Sequence, residues 1–279
     1  MGQISSYFWH VEETLEEVIV KSTNYYGWKK DLPDRRDYIN SKQYTVLPNI
    51  VDLRDKCPPP YNQGKLGSCT ANAIAFAYQF DEINQGEKSI FIPSRLFIYY
   101  NERYMEGTIE KDSGAAIRDG IKSINKIGVC SENIWPYDIE NFTQKPNKNC
   151  YIIAKNHQSI EYHKVVQNEQ NIKQVLSEGF PIVFGFAVYE SFESKEVSEN
   201  GVVPSPKKDE KLLGGHAVSI VGYTKINDIE YFIIRNSWGI EWGDKGYCYF
   251  PVKFICNPEY CDDFWVIKKI RDNGDNYIV

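Results

Sequence analysis

The sequence predicts an α+β protein in which helices precede β-strands along the chain. Before Pro181, apolar residues recur at the spacing of amphipathic helices. After Pro181, runs of β-branched and aromatic residues replace that pattern. The 279-residue chain is 42% hydrophobic and 25% charged, a composition typical of a folded domain with a sizeable core. This order of elements indicates two lobes, the first mainly helical and the second mainly β.

Four helices are predicted in the chain. The first begins at Ser68, the expected N-cap, and the second follows Pro93, a good residue for a first helical turn. The third spans residues 113–126 and stops at Gly128, while the fourth spans residues 169–177. All four carry apolar side chains in phase on one face, so each is expected to pack against a core.

Five buried strands are predicted in the second half of the chain. They span residues 181–189, 216–223, 231–236, 246–252 and 264–270. Residues 194–211, between the first two strands, are polar and charged, so they are predicted to form a loop.

The first 46 residues differ in character from the rest. Residues 11–21 are predicted to form a short amphipathic helix. Residues 25–38 combine turn-forming residues with four aromatic side chains. We therefore predict that they lie on a surface of the protein rather than forming a solvated tail.

Composition excludes several classes of function. There are 32 Lys+Arg against 38 Asp+Glu, a net charge of −6, and no basic stripe of the kind that binds nucleic acid. No stretch approaches the roughly 18 apolar residues that a membrane helix needs. The chain has only four histidines, and its seven cysteines form no CxxC pair, so no metal site is expected.

The N-terminus bears on location. It lacks the basic and apolar regions of a secretory signal. The first six residues, MGQISS, fit the pattern for N-myristoylation at Gly2, although so short a pattern also arises by chance. We expect an intracellular, virion or other non-classical location.

Cys69 is the candidate nucleophile. It stands at the predicted start of the first helix, where the helix dipole and free backbone N–H groups stabilise a thiolate and lower the thiol pKa. Gly64 and Gly67 allow tight turning and close approach to a substrate. The Gln63 side-chain amide and free backbone N–H groups can hold an oxyanion. The alternative is an inert, buried cysteine.

A thiol nucleophile works best with a base, and the base needs a group that orients it. His216 stands at the start of a predicted strand, and Asn236 ends the next one. If these strands are antiparallel neighbours, the two side chains meet, and Trp238 can shield their hydrogen bond from water. Taken singly, each of the three residues also fits a purely structural role.

Together these motifs resemble those of the papain-like cysteine peptidases, the family that includes the cathepsins. The order Cys, His, Asn is the same, and the 147 residues between Cys69 and His216 fall within the family range of roughly 130–150. Asn236 lies somewhat beyond that range. Four more segments match in order: VDLR at 51–54 (mature start), NQG at 62–64 (oxyanion segment), WPY at 135–137 and NSWG at 236–239.

The resemblance implies a two-lobed papain-like fold, α+β, with a helical N-terminal lobe, an antiparallel β-barrel-like C-terminal lobe and the active-site cleft between them. It divides the chain into an N-terminal extension (1–46) and a peptidase domain (47–279), whose lobes span about 47–165 and 166–279. It implies a monomer that acts on polypeptides without a cofactor. The implied catalytic residues are Cys69, His216, Asn236 and Gln63, and the implied substrate-binding residues are Ser113, Gly114, Ala115, Ala116, Ile117, Gly185, Gly215, Ala217 and Trp238.

The sequence departs from the family pattern near the nucleophile. The family usually has a cysteine where this chain has Leu66 and a tryptophan where it has Thr70. The disulfide partner of the missing cysteine falls at about Asp112, so both members of that bridge are absent together. This is coherent with a fold that does without the bridge, or with a reducing compartment. Four other cysteines remain able to pair: Cys57, Cys150, Cys256 and Cys261.

The same alignment implies a roomy, apolar pocket for the substrate residue two before the scissile bond. Asp262 or Asp263 at its base would favour a basic residue. The extension of 46 residues is shorter than the family's usual helical prodomain, so it is either a short inhibitory segment or a structural arm.

Three functions are compatible with these residues. The leading prediction is a thiol endopeptidase that works through a thioester acyl-enzyme. The alternatives are an exopeptidase or amidase with the same triad, which needs a cleft blocked at one end, and a catalytically silent relative that binds peptides.

Overall fold

The computed structural model describes residues 24–34, 37, 39–40 and 46–272. Its α-helices are α1 Cys69–Gln85, α2 Arg95–Glu106, α3 Ile117–Lys126, α4 Lys148–Ala154, α5 Glu169–Ser177, α6 Lys195–Asn200 and α7 Val252–Ile255. Its strands are β1 Trp28–Lys29, β2 Ile39–Asn40, β3 Val51–Asp52, β4 Ala115–Ala116, β5 His157–Val165, β6 Ile182–Tyr189, β7 Leu212–Ile226, β8 Ile229–Arg235, β9 Tyr247–Pro251 and β10 Cys261–Asp272. The helix predicted over residues 11–21 lies outside the described residues.

Helix α1 lies at the centre of the molecule. Every residue from Cys69 to Glu82 is buried, because the helix packs on α2 and α3 on one side and on β7 and β10 on the other. Its alanine-rich sequence leaves no wide polar face, as expected for a helix buried all round. It ends at Gly86, whose φ of 68° closes the last turn with a bond from its N–H to the helix carbonyls.

The other long helices follow the prediction closely, with one difference. Helix α2 begins after Ser94, whose hydroxyl accepts a hydrogen bond from the Phe97 N–H. Helix α3 begins at Ile117, four residues later than predicted. Gly114 has a φ of +67°, which is not helical, and residues 115–116 form β4 instead.

The strands after residue 166 form an open, mostly antiparallel sheet, which also includes β2, β3 and β5 from earlier in the chain. The strand order is β2-β5-β10-β6-β7-β8-β9, with β3 paired to β7 at one side. The end strands β2 and β9 do not pair with each other, so the expected barrel-like lobe is not a closed barrel among the described strands. The five predicted strands are present as β6 to β10, with β7 and β10 extended at both ends. Strand β5 was not predicted, and residues 195–200 of the predicted loop form α6.

An aromatic core joins the sheet to the cleft. The Phe186 ring lies 5.0 Å from both the Phe192 and Phe250 rings, and 5.7 Å from the ring of His216. A single hydrophobic core therefore extends from the sheet to the imidazole.

All seven cysteines lie within the described ranges, and all are free thiols. None of the pairings left open by the sequence is therefore formed. No helix in the described part of the chain is long and apolar enough to cross a membrane.

Candidate active site

Cys69 is the first residue of α1, and it is fully buried. The backbone of Ala217, Gly27 and Thr70 adjoins its sulfur and acts to lower the thiol pKa. Ser68 precedes the helix as predicted, but its hydroxyl does not cap it, because it shares a hydrogen bond of 2.5 Å with the Tyr137 hydroxyl. The nucleophile thus sits where helix α1, the start of β7 and residue 27 meet.

The structure brings His216 and Asn236 together. Strands β7 and β8 are antiparallel, with Ser219 opposite Arg235, and this register places the two side chains side by side. His216 Nε2 and Asn236 Oδ1 are 2.8 Å apart. The Trp238 ring stacks on the imidazole at 5.0 Å and 28°. His216 Nδ1 has no hydrogen-bond partner among the described residues.

Gln63 is held at the mouth of the site by a residue that the sequence did not single out. Its Oε1 accepts a 2.7 Å hydrogen bond from the Ser237 hydroxyl, and its backbone N–H donates to the Ser237 carbonyl at 2.8 Å. Its Nε2 donates to the carbonyls of Leu66 (2.9 Å) and Tyr25 (3.1 Å). The amide therefore points at residues 24–31, which we call the covering segment.

The covering segment lies directly over the catalytic side chains. The Tyr26 ring is 6.0 Å from the ring of His216 and 6.2 Å from that of Trp238. The Tyr26 hydroxyl and the Asn24 amide both donate to the Glu193 carboxylate, which anchors this end of the segment.

The predicted substrate-binding loop pairs with this segment. Strand β1 runs parallel to β4, and the Ala115 N–H donates to the Gly27 carbonyl at 2.7 Å. A Cβ on Gly114 would lie 1.9 Å from that carbonyl oxygen, so only glycine permits the approach. Beside it, the Ser113 hydroxyl accepts from Lys29 at 3.2 Å. Ile117, which was also predicted to bind substrate, is fully buried at the start of α3.

The side chain of Trp28 fills the predicted pocket. A Cβ on Gly185 would lie 2.0 Å from its indole, and one on Gly215 would lie 2.8 Å from it. The indole N–H donates to Asp263 Oδ2 at 3.1 Å. Of the two acidic candidates for the pocket base, Asp263 thus contacts the occupant, whereas Asp262 forms an ion pair with Lys30 at 2.6 Å.

Asp112 occupies the place expected for the missing disulfide. Both of its carboxylate oxygens accept from the Gly67 N–H at 3.0 Å, one residue from Leu66. The Tyr99 hydroxyl donates to the same carboxylate at 2.5 Å. Hydrogen bonds therefore join the two segments that a disulfide joins in the family. Leu66 and Asp112 were the only sequence signal for this link.

Burial controls the charge of the two reacting groups. It raises the pKa of the Cys69 thiol to about 12, against the opposing backbone hydrogen bonds. It lowers the pKa of His216 to about 4, although the hydrogen bond with Asn236 acts in the other direction. Both shifts favour the neutral thiol and the neutral imidazole beneath the covering segment. The thiol pKa predicted to be low is therefore high here, because desolvation outweighs the helix dipole.

Sequence comparison identifies the family. The pattern that describes the papain family cysteine proteases matches residues 47–259. The chain belongs to this family. It is therefore a papain-like cysteine protease, a peptide hydrolase. No group of three or more His, Cys, Asp or Glu side chains in the described ranges is arranged to hold a metal ion.

Several relatives illustrate the similarity. An uncharacterised peptidase C1-like protein of Acanthamoeba polyphaga mimivirus is 44% identical over 274 residues, with 88% of each chain covered. Mouse cathepsin K is 29% identical over 84% of this chain and 69% of its own. The solved structure of xylellain, a cysteine protease from Xylella fastidiosa, matches with a TM-score of 0.82 and 44% identity, covering 89% of this chain and 97% of its own. The papain-like α+β fold predicted from the motifs is thereby confirmed.

Proposed function

We propose that this protein is an endopeptidase that cleaves polypeptides through Cys69, His216 and Asn236. The observation that carries the proposal is the 2.8 Å hydrogen bond between His216 Nε2 and Asn236 Oδ1, because the backbone of Ala217, the residue after His216, adjoins the buried Cys69 thiol. It fixes the imidazole so that Nδ1 is left to act as the base.

The reaction follows from these positions once the cleft is open. The thiol proton of Cys69 passes to His216 Nδ1, and the thiolate attacks the scissile carbonyl carbon. Gln63 Nε2 and the Cys69 N–H stabilise the oxyanion. His216 then protonates the leaving amine, which leaves a thioester. Water, deprotonated by His216, hydrolyses the thioester and restores the thiol.

The covering segment makes the described state a latent one. It takes up the Gln63 amide through the Tyr25 carbonyl at 3.1 Å and fills the pocket with Trp28. It also desolvates the thiol and imidazole, which disfavours the reactive ion pair. These contacts favour the inhibitory version of the N-terminal extension over a structural arm.

The pocket that Trp28 occupies indicates a substrate preference. Its base is the Asp263 carboxylate, and its walls are formed at Gly185 and Gly215. We expect side chains with an N–H donor at the tip, basic ones included, to be preferred there. Replacing Asp263 with Asn should lower the selectivity for lysine or arginine over leucine at this substrate position.

Hydrolysis of peptides blocked at both ends tests the function. Cys69→Ala should abolish cleavage and adduct formation with a thiol-directed peptide inhibitor, without loss of folding. Cys57→Ala is the matched control, because Cys57 is a partly exposed thiol outside the site, and it should retain activity. Cleavage by the Cys69 variant would refute the assignment. Cleavage only of peptides with a free end would replace the endopeptidase with an exopeptidase.

A further inference from the structure

Two buried carboxyl groups hold the far end of the covering segment. Asp263 Oδ2 accepts from the backbone N–H of Asp31 at 2.8 Å and from the Trp28 indole at 3.1 Å. Asp31 in turn accepts from the Arg118 backbone N–H at 3.2 Å and from the Trp265 indole at 3.0 Å. Asp31 is 7% exposed and Asp263 is 1% exposed. Each carboxyl group therefore depends on the segment being in place.

The cations near this pair do not supply one close ion pair for each carboxyl group. From α3, Arg118 Nε lies 4.0 Å from Asp31, but the same guanidinium binds Asp37 at 2.6 Å. From β5, Lys164 faces Asp263 at longer range, and its Nζ lies 5.9 Å from the ring of Trp265. The nearest other charges, Lys30 and Asp262, neutralise each other at 2.6 Å. Two full negative charges are thus poorly compensated here.

The backbone at Asp263 supports a dedicated role for this pair. Its φ of +58° lies in the left-handed region, which residues with a side chain rarely adopt. That conformation accompanies the carboxyl group's placement in the pocket. Asp263 Oδ1 has no hydrogen-bond partner within the described ranges, so it is free to carry or to receive a proton.

We propose that Asp31 and Asp263 form a proton-dependent latch, which holds the covering segment while one carboxyl group of the pair is protonated and releases it as rising pH ionises both groups. This inference rests on the latency proposed above and names its regulation. The proton comes from solvent and returns to it, and no covalent bond changes.

The direction of the effect follows from linkage. Burial and then the neighbouring Asp263 raise the pKa of Asp31 to about 7, and burial raises the pKa of Asp263 as well. The closed state therefore takes up a proton that a solvated Asp31, with a pKa near ~4, does not hold at the same pH. Closure is strongest at about pH 4. The closure equilibrium weakens by up to tenfold per pH unit between about pH 4 and about pH 7, and it does not change further at higher pH.

Alkylation of Cys69 by iodoacetamide measures closure in the full-length protein. Mass spectrometry of the Cys69 peptide gives its rate at pH 5, 6, 7 and 8. Trp28→Ala, which removes the pocket occupant, serves as the opened reference, because the ratio of the two rates cancels the ionisation of the thiol itself. We expect the ratio of wild type to reference to rise by up to about 100-fold from pH 5 to pH 7 and then to level off.

Two variants separate the latch from simple loss of contacts. Asp31→Asn should flatten the pH dependence of the ratio, and Asp263→Asn should do the same from the sheet side. Asp34→Asn is the matched control, because Asp34 pairs with Lys122 at 3.9 Å outside the carboxyl pair, and it should leave the slope unchanged.

The outcomes distinguish the two proposals. Equal rates for wild type and Trp28→Ala at every pH would refute the latency, and the latch with it. A wild type that is slower by the same factor at every pH would overturn the latch and leave the latency standing. An unchanged slope in Asp31→Asn would also overturn the latch, because another group would then sense the proton.

Discussion

Removal of the Trp28 side chain is the most direct perturbation of the covered state. Trp28 lies outside residues 47–259, the part of the chain that matches the family. Its indole fills the pocket over Gly185 and Gly215 and donates to Asp263. Trp28→Ala should therefore shift the molecule towards an open cleft while leaving the cleft itself intact.

The size of the shift can be worked from these contacts. A hydrogen bond to a charged acceptor contributes about 1.5–3 kcal/mol. Full burial of a large apolar side chain contributes about 1.5–3 kcal/mol, and the indole is only partly buried, so about half of that applies. The sum is about 3 kcal/mol, which corresponds to roughly 100-fold in the closure equilibrium.

The assay is the rate of Cys69 alkylation at pH 6, followed by hydrolysis of an end-blocked fluorogenic peptide. Trp28→Ala should react up to about 100-fold faster than wild type, and Trp28→Phe should fall between them, because it keeps a ring but loses the bond to Asp263. Tyr25→Ala is the control, since its side chain is 40% exposed and only its carbonyl contacts Gln63, so a change within about twofold is expected. Equal rates for wild type and a folded Trp28→Ala would refute the reasoning.

Three further predictions follow from the site and the core. Asn236→Ala removes the 2.8 Å bond to His216 and should lower kcat by roughly 10–100-fold, whereas an unchanged kcat would exclude an orienting role. Ser237→Ala frees the Gln63 amide and should lower kcat by about fivefold with little change in KM, as measured by steady-state kinetics. Burial raises the pKa of Asp81, whose carboxyl oxygens have no hydrogen-bond partner among the described residues, so folding takes up a proton and stability is lost as pH rises above ~4. Asp81→Asn should therefore match wild type in Tm near pH 4 and exceed it by a few degrees at pH 8; an equal Tm at pH 8 would contradict this.

Local chemistry made some elements predictable from the sequence. Helix α5 has the predicted bounds because Asn168 caps it through its side chain and Gly179, at φ +90°, ends the following turn. Helix α1 begins at Cys69, directly after Ser68, the residue predicted as its N-cap. The meeting of His216 and Asn236 was also predictable, since a short turn joins β7 to β8 as antiparallel neighbours.

Other features depend on contacts distant in sequence. Strand β5 is rich in polar residues, so neither alternation nor an apolar run marks it, and its pairing with β10 spans about a hundred residues of chain. The start of α3 was misplaced because β4 exists only through its pairing with β1.

The sequence of the covering segment contains one signal of its position that our predictions did not use. A glycine stands among its aromatic residues, and a Cβ on Gly27 would lie 1.7 Å from the Gly67 carbonyl oxygen. That contact allows the backbone to pass over the nucleophile. The sequence shows the glycine but not its neighbour, which is 40 positions away.

The link between Asp112 and Gly67 has a practical consequence for handling the protein. A thiol protease needs a reducing agent to keep its nucleophile from oxidising. In this chain the same reagent breaks no structural disulfide, because all seven cysteines are free thiols. The segments beside the nucleophile are joined instead by the hydrogen bond from the Gly67 N–H to the Asp112 carboxylate. A reducing agent such as dithiothreitol therefore protects the nucleophile of this chain without breaking any covalent cross-link that holds the cleft together.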